Sequence, residues 1–276
     1  MGKELRIPCA YQGGKQRISA DIVDILLKDN EVDENTKFYD LCCGSGAISI
    51  ELIKRGVKPY NITMLDASPW GLFWNKVGSM EFSVSKFTDL VDKIPKDISE
   101  IQSHIKKLSK QPADIDTEYV FLLLQASSFG SKAIWIDDNK WQNTSFRSYW
   151  LPTETSKRRS PVNPMMPMPN TLLDRVREIS FQMAGVNGVN CDIQEFTDFD
   201  ENSVIYIDPP YQDTTSYGFS FDIETYISNI NKKVYISEGY KMFNNGVLIS
   251  GSRAKGGISG ERKSKNEEWL NIYKGA

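Results

Sequence analysis

Strands alternating with helices, a buried strand ending at a carboxylate, and a glycine loop closing an earlier strand together predict an α/β domain. The decisive strand is Val204-Ile205-Tyr206-Ile207, followed by Asp208-Pro209-Pro210-Tyr211. Four apolar residues in a row, mostly β-branched or aromatic, read as a strand buried on both faces. In open α/β sheets ligands bind beyond the carboxyl ends of the strands, which is where Asp208 falls. At 276 residues the chain has room for one large α/β domain and a smaller inserted one.

Composition narrows the chemistry. Hydrophobic content of 40% and charged content of 25% are ordinary for a globular protein. The segment Met1-Gly2-Lys3-Glu4 has no apolar signal core and no run approaches a membrane span, so a cytoplasmic protein without membrane association is expected. Cys9, Cys42, Cys43 and Cys191 lack metal-ligand spacing and His104 is the sole histidine. No zinc site, histidine triad or other metal centre is expected. A net charge of −3 gives no global attraction to nucleic acid, which leaves local patches to supply any such binding.

Ala10-Tyr11-Gln12-Gly13-Gly14-Lys15-Gln16 reads as a glycine turn ahead of a helix, with Ser19 placed to cap it and Ile22, Ile25 and Leu26 on its apolar face. It is not a phosphate loop, because Cys9 stands where the first glycine belongs and Gln16 replaces the hydroxyl residue after the lysine. A plain surface turn is the competing reading. Phe38-Tyr39-Asp40-Leu41 is a strand, Cys42-Cys43-Gly44-Ser45-Gly46 a tight loop, and Ala47 to Lys54 a helix. Strand, G-x-G and helix make a nucleotide-type cradle. The next strand, Ile62 to Leu65, ends at Asp66, 20 residues after Gly46, where an acid can accept from ribose hydroxyls. Ser49 stands where a dinucleotide fold places its third glycine, so an adenosine-type ligand is favoured over a nicotinamide one.

From residue 71 to about 170 the strand–helix rhythm breaks. A polar helix near Ile98–Lys110 and an apolar one at Tyr119–Ala126 precede a loop-rich run with Phe129, Trp135, Trp141, Phe146, Tyr149 and Trp150. Lys132, Lys140 and Arg147 lie among these aromatics, and Lys157-Arg158-Arg159 and a Pro/Met-rich linker follow. Residues 130–170 hold 6 Lys/Arg against 3 Asp/Glu, and basic residues interleaved with aromatics suit a nucleic-acid surface. For any single aromatic, inward packing is the competing reading. Thr171–Ala184 reads as a helix, and the strand Gly188 to Cys191 leads to Asp192, available to a bound adenine or simply solvated. Gln212–Phe221 is a polar loop, Val234–Ser237 and Val247–Ser250 are strands, and Gly256-Gly257 and Arg262-Lys263 could contact phosphates.

Asp208-Pro209-Pro210-Tyr211 suits the handling of an aromatic amine. An ionised Asp208 only accepts hydrogen bonds, and the prolines offer carbonyls without a competing N–H, at a fixed φ. Two acceptors on one NH₂ turn its lone pair towards an electrophile, and Tyr211 presents a flat face to a base, worth about 1–3 kcal/mol. A common Asp-Pro turn is the bland alternative.

Taken together, the motifs resemble the Dam-like family of DNA adenine-N6 methyltransferases, including phage-encoded members. The resemblance rests on Ala10–Gln16, Asp40-Leu41-Cys42-Cys43-Gly44, Leu65-Asp66, Asp208–Tyr211, Val234–Ser237 and the Lys265–Tyr273 pattern, and on their order. It implies a Rossmann-like seven-stranded methyltransferase sheet, residues 1–70 and 171–276, with a mostly helical target-recognition insert at 71–170. Tyr11, Lys15, Asp40, Cys42, Gly44, Gly46 and Asp66 would line a site for S-adenosylmethionine, with S-adenosylhomocysteine as product and no metal. Asp192 would sit at the cofactor adenine, and Asp208 between cofactor and target base. Lys132, Lys140, Arg147, Lys157, Arg158 and Arg159 would face double-stranded DNA. A place in restriction–modification is an expectation of the resemblance; the sequence leaves the oligomeric state, monomer or weak dimer, and any partner nuclease open. Related chemistry on cytosine N4, RNA adenine or a glutamine amide is the nearest alternative, though those families more often begin the motif with Ser or Asn. A catalytically silent DNA-binding relative is disfavoured by intact Asp208 and Tyr211. A nicotinamide oxidoreductase is disfavoured by Ser49 and by the lack of a relay histidine.

Overall fold

The computed structural model of the protein describes residues 4–149, 153–156, 167–210, 221–253 and 265–275. Tyr211, Trp150, Lys157, Arg158, Arg159, Gly256-Gly257 and Arg262-Lys263 lie outside the described residues. In chain order the elements are α1 (Ser19–Lys28), β1 (Lys37–Leu41), α2 (Ala47–Lys54), β2 (Ile62–Leu65), α3 (Pro69–Gly78), α4 (Val84–Asp92), α5 (Ile98–Leu108) and α6 (Thr117–Ser127). They continue with β3 (Trp135–Asp137), β4 (Lys140–Gln142), α7 (Pro169–Gln182), β5 (Asn187–Val189), β6 (Ser203–Ile207), α8 (Ile223–Ser228), β7 (Val234–Glu238), β8 (Val247–Arg253) and β9 (Lys265–Tyr273).

Seven strands form one sheet in the order β5-β2-β1-β6-β7-β9-β8, a mixed α/β arrangement compatible with a Rossmann-like fold. β5, β2, β1, β6 and β7 pair in parallel, and β9 runs antiparallel to both β7 and β8. The continuous apolar runs have a direct cause. Successive side chains of a strand point to opposite faces, so a sheet covered on both sides needs apolar residues at every position. Val204 and Tyr206 enter the larger core together with Phe38, Met64 and Tyr235. Ile205 and Ile207 enter the smaller one with Tyr39, Leu41, Leu65, Val234 and Ile236, beneath Ile223, Tyr226 and Ile227 of α8.

The helices expected at Ala47–Lys54, Ile98–Lys110, Tyr119–Ala126 and Thr171–Ala184 are α2, α5, α6 and α7. Every residue of α6 from Tyr119 to Ser127 is buried, because it packs against both α3 and α5. The expected start of the insert, residue 71, falls inside α3, which packs along β5. Phe87 and Val91 of α4, Ile101 and Ile105 of α5, and Phe121 of α6 join the same larger core as the sheet residues. The expected Ser19 cap is corrected: Ile18 occupies the N-cap and no side chain caps the helix. The Ile18 amide already bonds the Lys15 carbonyl at 2.9 Å, so the chain turns into the helix one residue earlier and buries Ser19.

Candidate active site at the sheet switch point

From β1 the chain crosses to β2 on one side, while β6 leads to β7 on the other, so the strand order reverses between β1 and β6. Such a switch point leaves a crevice outside the carboxyl ends of the two strands. A cavity of about 480 Å³ lies there, within the range of small-molecule sites. Its lining gathers Tyr11, Lys15, Asp40, Cys42, Gly44, Asp66, Asp192, Asp208, Pro209 and Pro210, residues drawn from five separate stretches of chain.

The loop after β1 is shaped by three left-handed residues, Cys42 (φ 59°), Gly44 (φ 49°) and Gly46 (φ 75°). For cysteine this conformation costs about 1–2 kcal/mol, which the loop recovers through its hydrogen bonds. The Cys43 amide bonds the Leu65 carbonyl at 2.9 Å, and Trp74 Nε1 donates to the Gly44 carbonyl at 2.9 Å. At Gly44 a Cβ would stand 2.9 Å from the Tyr11 ring, so only glycine lets that ring lie over the loop. Gly46 does not line the cavity: a Cβ there would meet Trp74 at 2.5 Å and Met64 at 2.8 Å. Its role is to let the loop pack against α3.

Asp66 is buried and accepts from the Gly44 amide at 2.8 Å and the Ser68 amide at 2.9 Å, which ties the ends of β1 and β2 together. Burial raises its carboxyl pKa against those bonds. Asp40 accepts from both the amide (3.1 Å) and the hydroxyl (2.6 Å) of Ser49, yet burial pushes it up to about 7, with Asp208 and Asp66 adding repulsion. Ser49, which spoiled the dinucleotide pattern, is therefore the hydrogen-bond partner of Asp40. Asp192 accepts from the Gln194 amide at 2.9 Å as the cap of a short 3-10 turn, with its side chain at the cavity wall.

Asp208 follows β6, its amide bonded to the Leu41 carbonyl at 3.1 Å. Lys15, itself buried, donates from Nζ to Asp208 Oδ1 at 2.6 Å and to the Gly13 carbonyl at 2.9 Å. Glu268 Oε1 on β9 lies 3.6 Å from the same ammonium. Burial pushes Asp208 up to about 6, opposed by Lys15 and reinforced by Glu268 and Asp66. Glu238, at the end of β7, is buried with Oε2 on the Gly239 amide at 3.0 Å and Oε1 without a hydrogen-bond partner among the described residues. Burial is the main reason that its carboxyl is pushed up to about 7.

Compared with models of known protein families and with the sequences of characterised proteins, the chain matches none. The site's own chemistry therefore carries the functional argument. Six carboxyl residues, Asp40, Asp66, Asp192, Asp208, Glu267 and Glu268, line the cavity against one described cation, Lys15. In a partly desolvated pocket like charges repel strongly, so this lining favours a cationic ligand and opposes a pyrophosphate.

Glu267, Glu268 and Glu238 are contributions that side-chain chemistry in the sequence did not single out. Only the Lys265–Tyr273 pattern touched the first two, and nothing local relates β9 to Asp208. Of the expected DNA-facing residues, Lys132, Lys140 and Arg147 stay outside the cavity lining, although Ala133, Ile134 and Trp135 beside Lys132 belong to it. Lys140 is exposed, 3.6 Å from Asp138, and the Arg147 guanidinium lies over the exposed Phe129 ring at 5.8 Å. Trp141, Phe146 and Tyr149 are buried, so for these three inward packing wins over a base-stacking surface.

Proposed function

We propose that the protein is an S-adenosylmethionine-dependent DNA methyltransferase that modifies the N6 amine of an adenine turned out of the duplex. The observation that carries this reading is the acid-lined cavity at the β1/β6 switch point, with Asp208 and two prolines at its edge. The residues fit the cofactor. S-adenosylmethionine is a net cation, which the carboxyl lining would attract and which a dinucleotide's phosphates would not match. Asp66 keeps lone pairs beyond its two backbone donors and would accept from the ribose hydroxyls. Asp192 and Ile193 would border the adenine, and Tyr11 the loop over Gly44. When bound, the cofactor supplies a methyl group activated by a sulfonium centre.

The protein's part is positioning and charge. An adenine N6 cannot be reached inside a duplex, so the base must leave the stack at a cost of a few kcal/mol. Asp208, once ionised, would accept one N6 hydrogen and the Pro209 carbonyl the other, leaving the lone pair aimed across the cavity. The carboxylate would also stabilise positive charge growing on N6. Tyr211 would stack on the base. Lys132, Lys140 and Arg147, with Lys157, Arg158 and Arg159, would supply the local positive charge that a chain of net −3 otherwise lacks. The helical region from α4 to α6 and the β3–β4 hairpin would serve as the target-recognition part.

Incubation with methyl-labelled cofactor and duplex DNA, followed by mapping of the modified bases, tests the reading. Label at adenine N6 in a fixed sequence context is expected. Label on cytosine or only on RNA assigns a different substrate, and no transfer to any nucleic acid removes the proposal.

A further inference from the structure

We propose that Lys15 is a built-in stand-in for the substrate amine: its ammonium occupies the acceptor of Asp208 until the target base arrives, then passes to Glu268. The inference rests on the methyltransferase reading of the site. Its grounds are geometric. Lys15 Nζ donates to Asp208 Oδ1 at 2.6 Å, on the carboxylate that would receive the N6 hydrogen. The same nitrogen is anchored to the Gly13 carbonyl, and Glu268 Oε1 is ion-paired with it at 3.6 Å, longer than a hydrogen bond. A small rotation about the lysine stem closes that gap without moving the backbone. No covalent bond is made or broken in the exchange, and only hydrogen-bond partners change.

The surrounding charges explain why such a device is needed. Asp208 faces Lys15 from the glycine turn, Glu268 from β9, Asp66 from the end of β2, Asp40 from β1 and Glu238 from the end of β7. Among the described residues these four carboxyl groups disfavour its ionised form and the Lys15 ammonium favours it. An Asp208 left alone in this nest takes up a proton and loses the acceptor that an N6 hydrogen requires. Lys15 holds the carboxylate charged while the pocket is empty, and on Glu268 it remains near enough to keep doing so. The half-buried Glu268 on β9 is thus the receiving site of the exchange.

The ion pair is read independently of activity by carboxyl-carbon NMR of labelled aspartate, with the Asp208 resonance assigned through its loss in Asp208→Asn. Lys15→Met should move the Asp208 titration up by about one pH unit or more, whereas Glu268→Gln should move it down. In methyl-transfer assays the acidic limb of the rate profile should move with the same sign in each variant. Lys15→Arg should return the limb towards the wild-type position. Glu268→Gln should also lower kcat about tenfold or more with KM for DNA changed only about twofold, because the exchange loses its second acceptor. Should Lys15→Met fail to fold, the Glu268→Gln titration and kcat carry the test. An unmoved Asp208 titration, or a Lys15→Met enzyme with a lowered plateau and an unshifted limb, overturns the inference and leaves the methyltransferase reading standing. A wild-type protein that titrates as described but transfers no methyl group overturns that reading, and the stand-in role with it.

Discussion

On the proposed reading Asp208 carries the chemistry in one carboxyl group, and the choice of substitution separates the two duties it would have. Asp208→Ala removes the acceptor, and transfer should fall by orders of magnitude while DNA still binds. Asp208→Asn keeps shape and one acceptor oxygen but loses the charge opposite N6. By analogy with the loss of one preorganised polar group, its kcat should drop roughly 10²–10³-fold. An Asn variant turning over at the wild-type rate would show that the carboxylate plays no electrostatic part. Asp66 makes a cleaner binding probe. Asp66→Ala should weaken S-adenosylmethionine binding by about 1.5–3 kcal/mol, or about ten- to a hundredfold, through loss of a charged acceptor. Calorimetric titration of a folded variant reads this directly, and unchanged affinity would take Asp66 out of the site. Asp40 bears instead on stability. Its folded pKa of about 7 stands above the ordinary carboxylate value, so between about pH 4 and pH 7 the folded state binds more protons than the unfolded one. Stability from this group is therefore greatest on the acid side and is lost as pH rises through 7. Asp208 and Glu238, pushed up to about 6 and about 7, add to the same trend. The ligand-free protein should have a higher Tm near pH 5.5 than near pH 8. Asp40→Asn, whose amide oxygen can still accept from Ser49, should narrow that difference; an unchanged pH dependence would show that Asp40 titrates normally.

Among the elements, the loop between β1 and α2 does the most with the fewest residues. It carries Cys42, Gly44 and Gly46 in left-handed conformations and is pinned by Trp74 of α3 and the Leu65 carbonyl. Gly44→Ala puts a methyl group 2.9 Å from the Tyr11 ring at a φ that disfavours it. About 1–2 kcal/mol of stability should be lost from backbone strain. Cofactor affinity should fall as well, because the ring must move into the cavity it borders. Thermal unfolding and calorimetry on the same variant separate these effects, and full affinity at reduced Tm would place Tyr11 outside the binding surface. The β3–β4 hairpin and the residues before it also reach the cavity, through Ala133, Ile134 and Trp135. Trp141 and Phe146 bury the inner side of this region while Lys132, Lys140 and Phe129 stay exposed. Charge reversal at Lys132 and Lys140 should weaken DNA binding and flatten its dependence on salt, since each phosphate contact releases counterions. An unaltered slope in a filter-binding titration would make these lysines ordinary solvated surface.

At the scale of the whole molecule, local pattern and tertiary arrangement divided the work unevenly. Val204–Ile207, and the largely apolar Phe38–Leu41, Ile62–Leu65 and Val234–Ser237, were legible as strands because burial on both faces leaves no regular polar alternation. Ser19 was misread because its cap depended on where the Lys15 turn began. The 71–170 region was legible as a change of rhythm. Its helices, however, share a core with the sheet, and α3 crosses the expected boundary, since packing against β5 follows from the strand order and not from local composition. The residue types of the site, from Tyr11 and Lys15 through Asp66 to Asp208, were likewise readable, because each sits at a strand end or glycine turn with a recognisable local signature. By itself, then, the sequence determined the elements, the strand-end acids and the glycine loop, all of which follow from propensity and spacing over a few residues. Only the tertiary structure decided that Lys15 sits on Asp208 across 193 positions of chain, with Glu268 beside it. It also decided that Gly46 packs against Trp74, outside the cavity lining. Such contacts arise from the order in which strands assemble, and strand order is a property of the whole core.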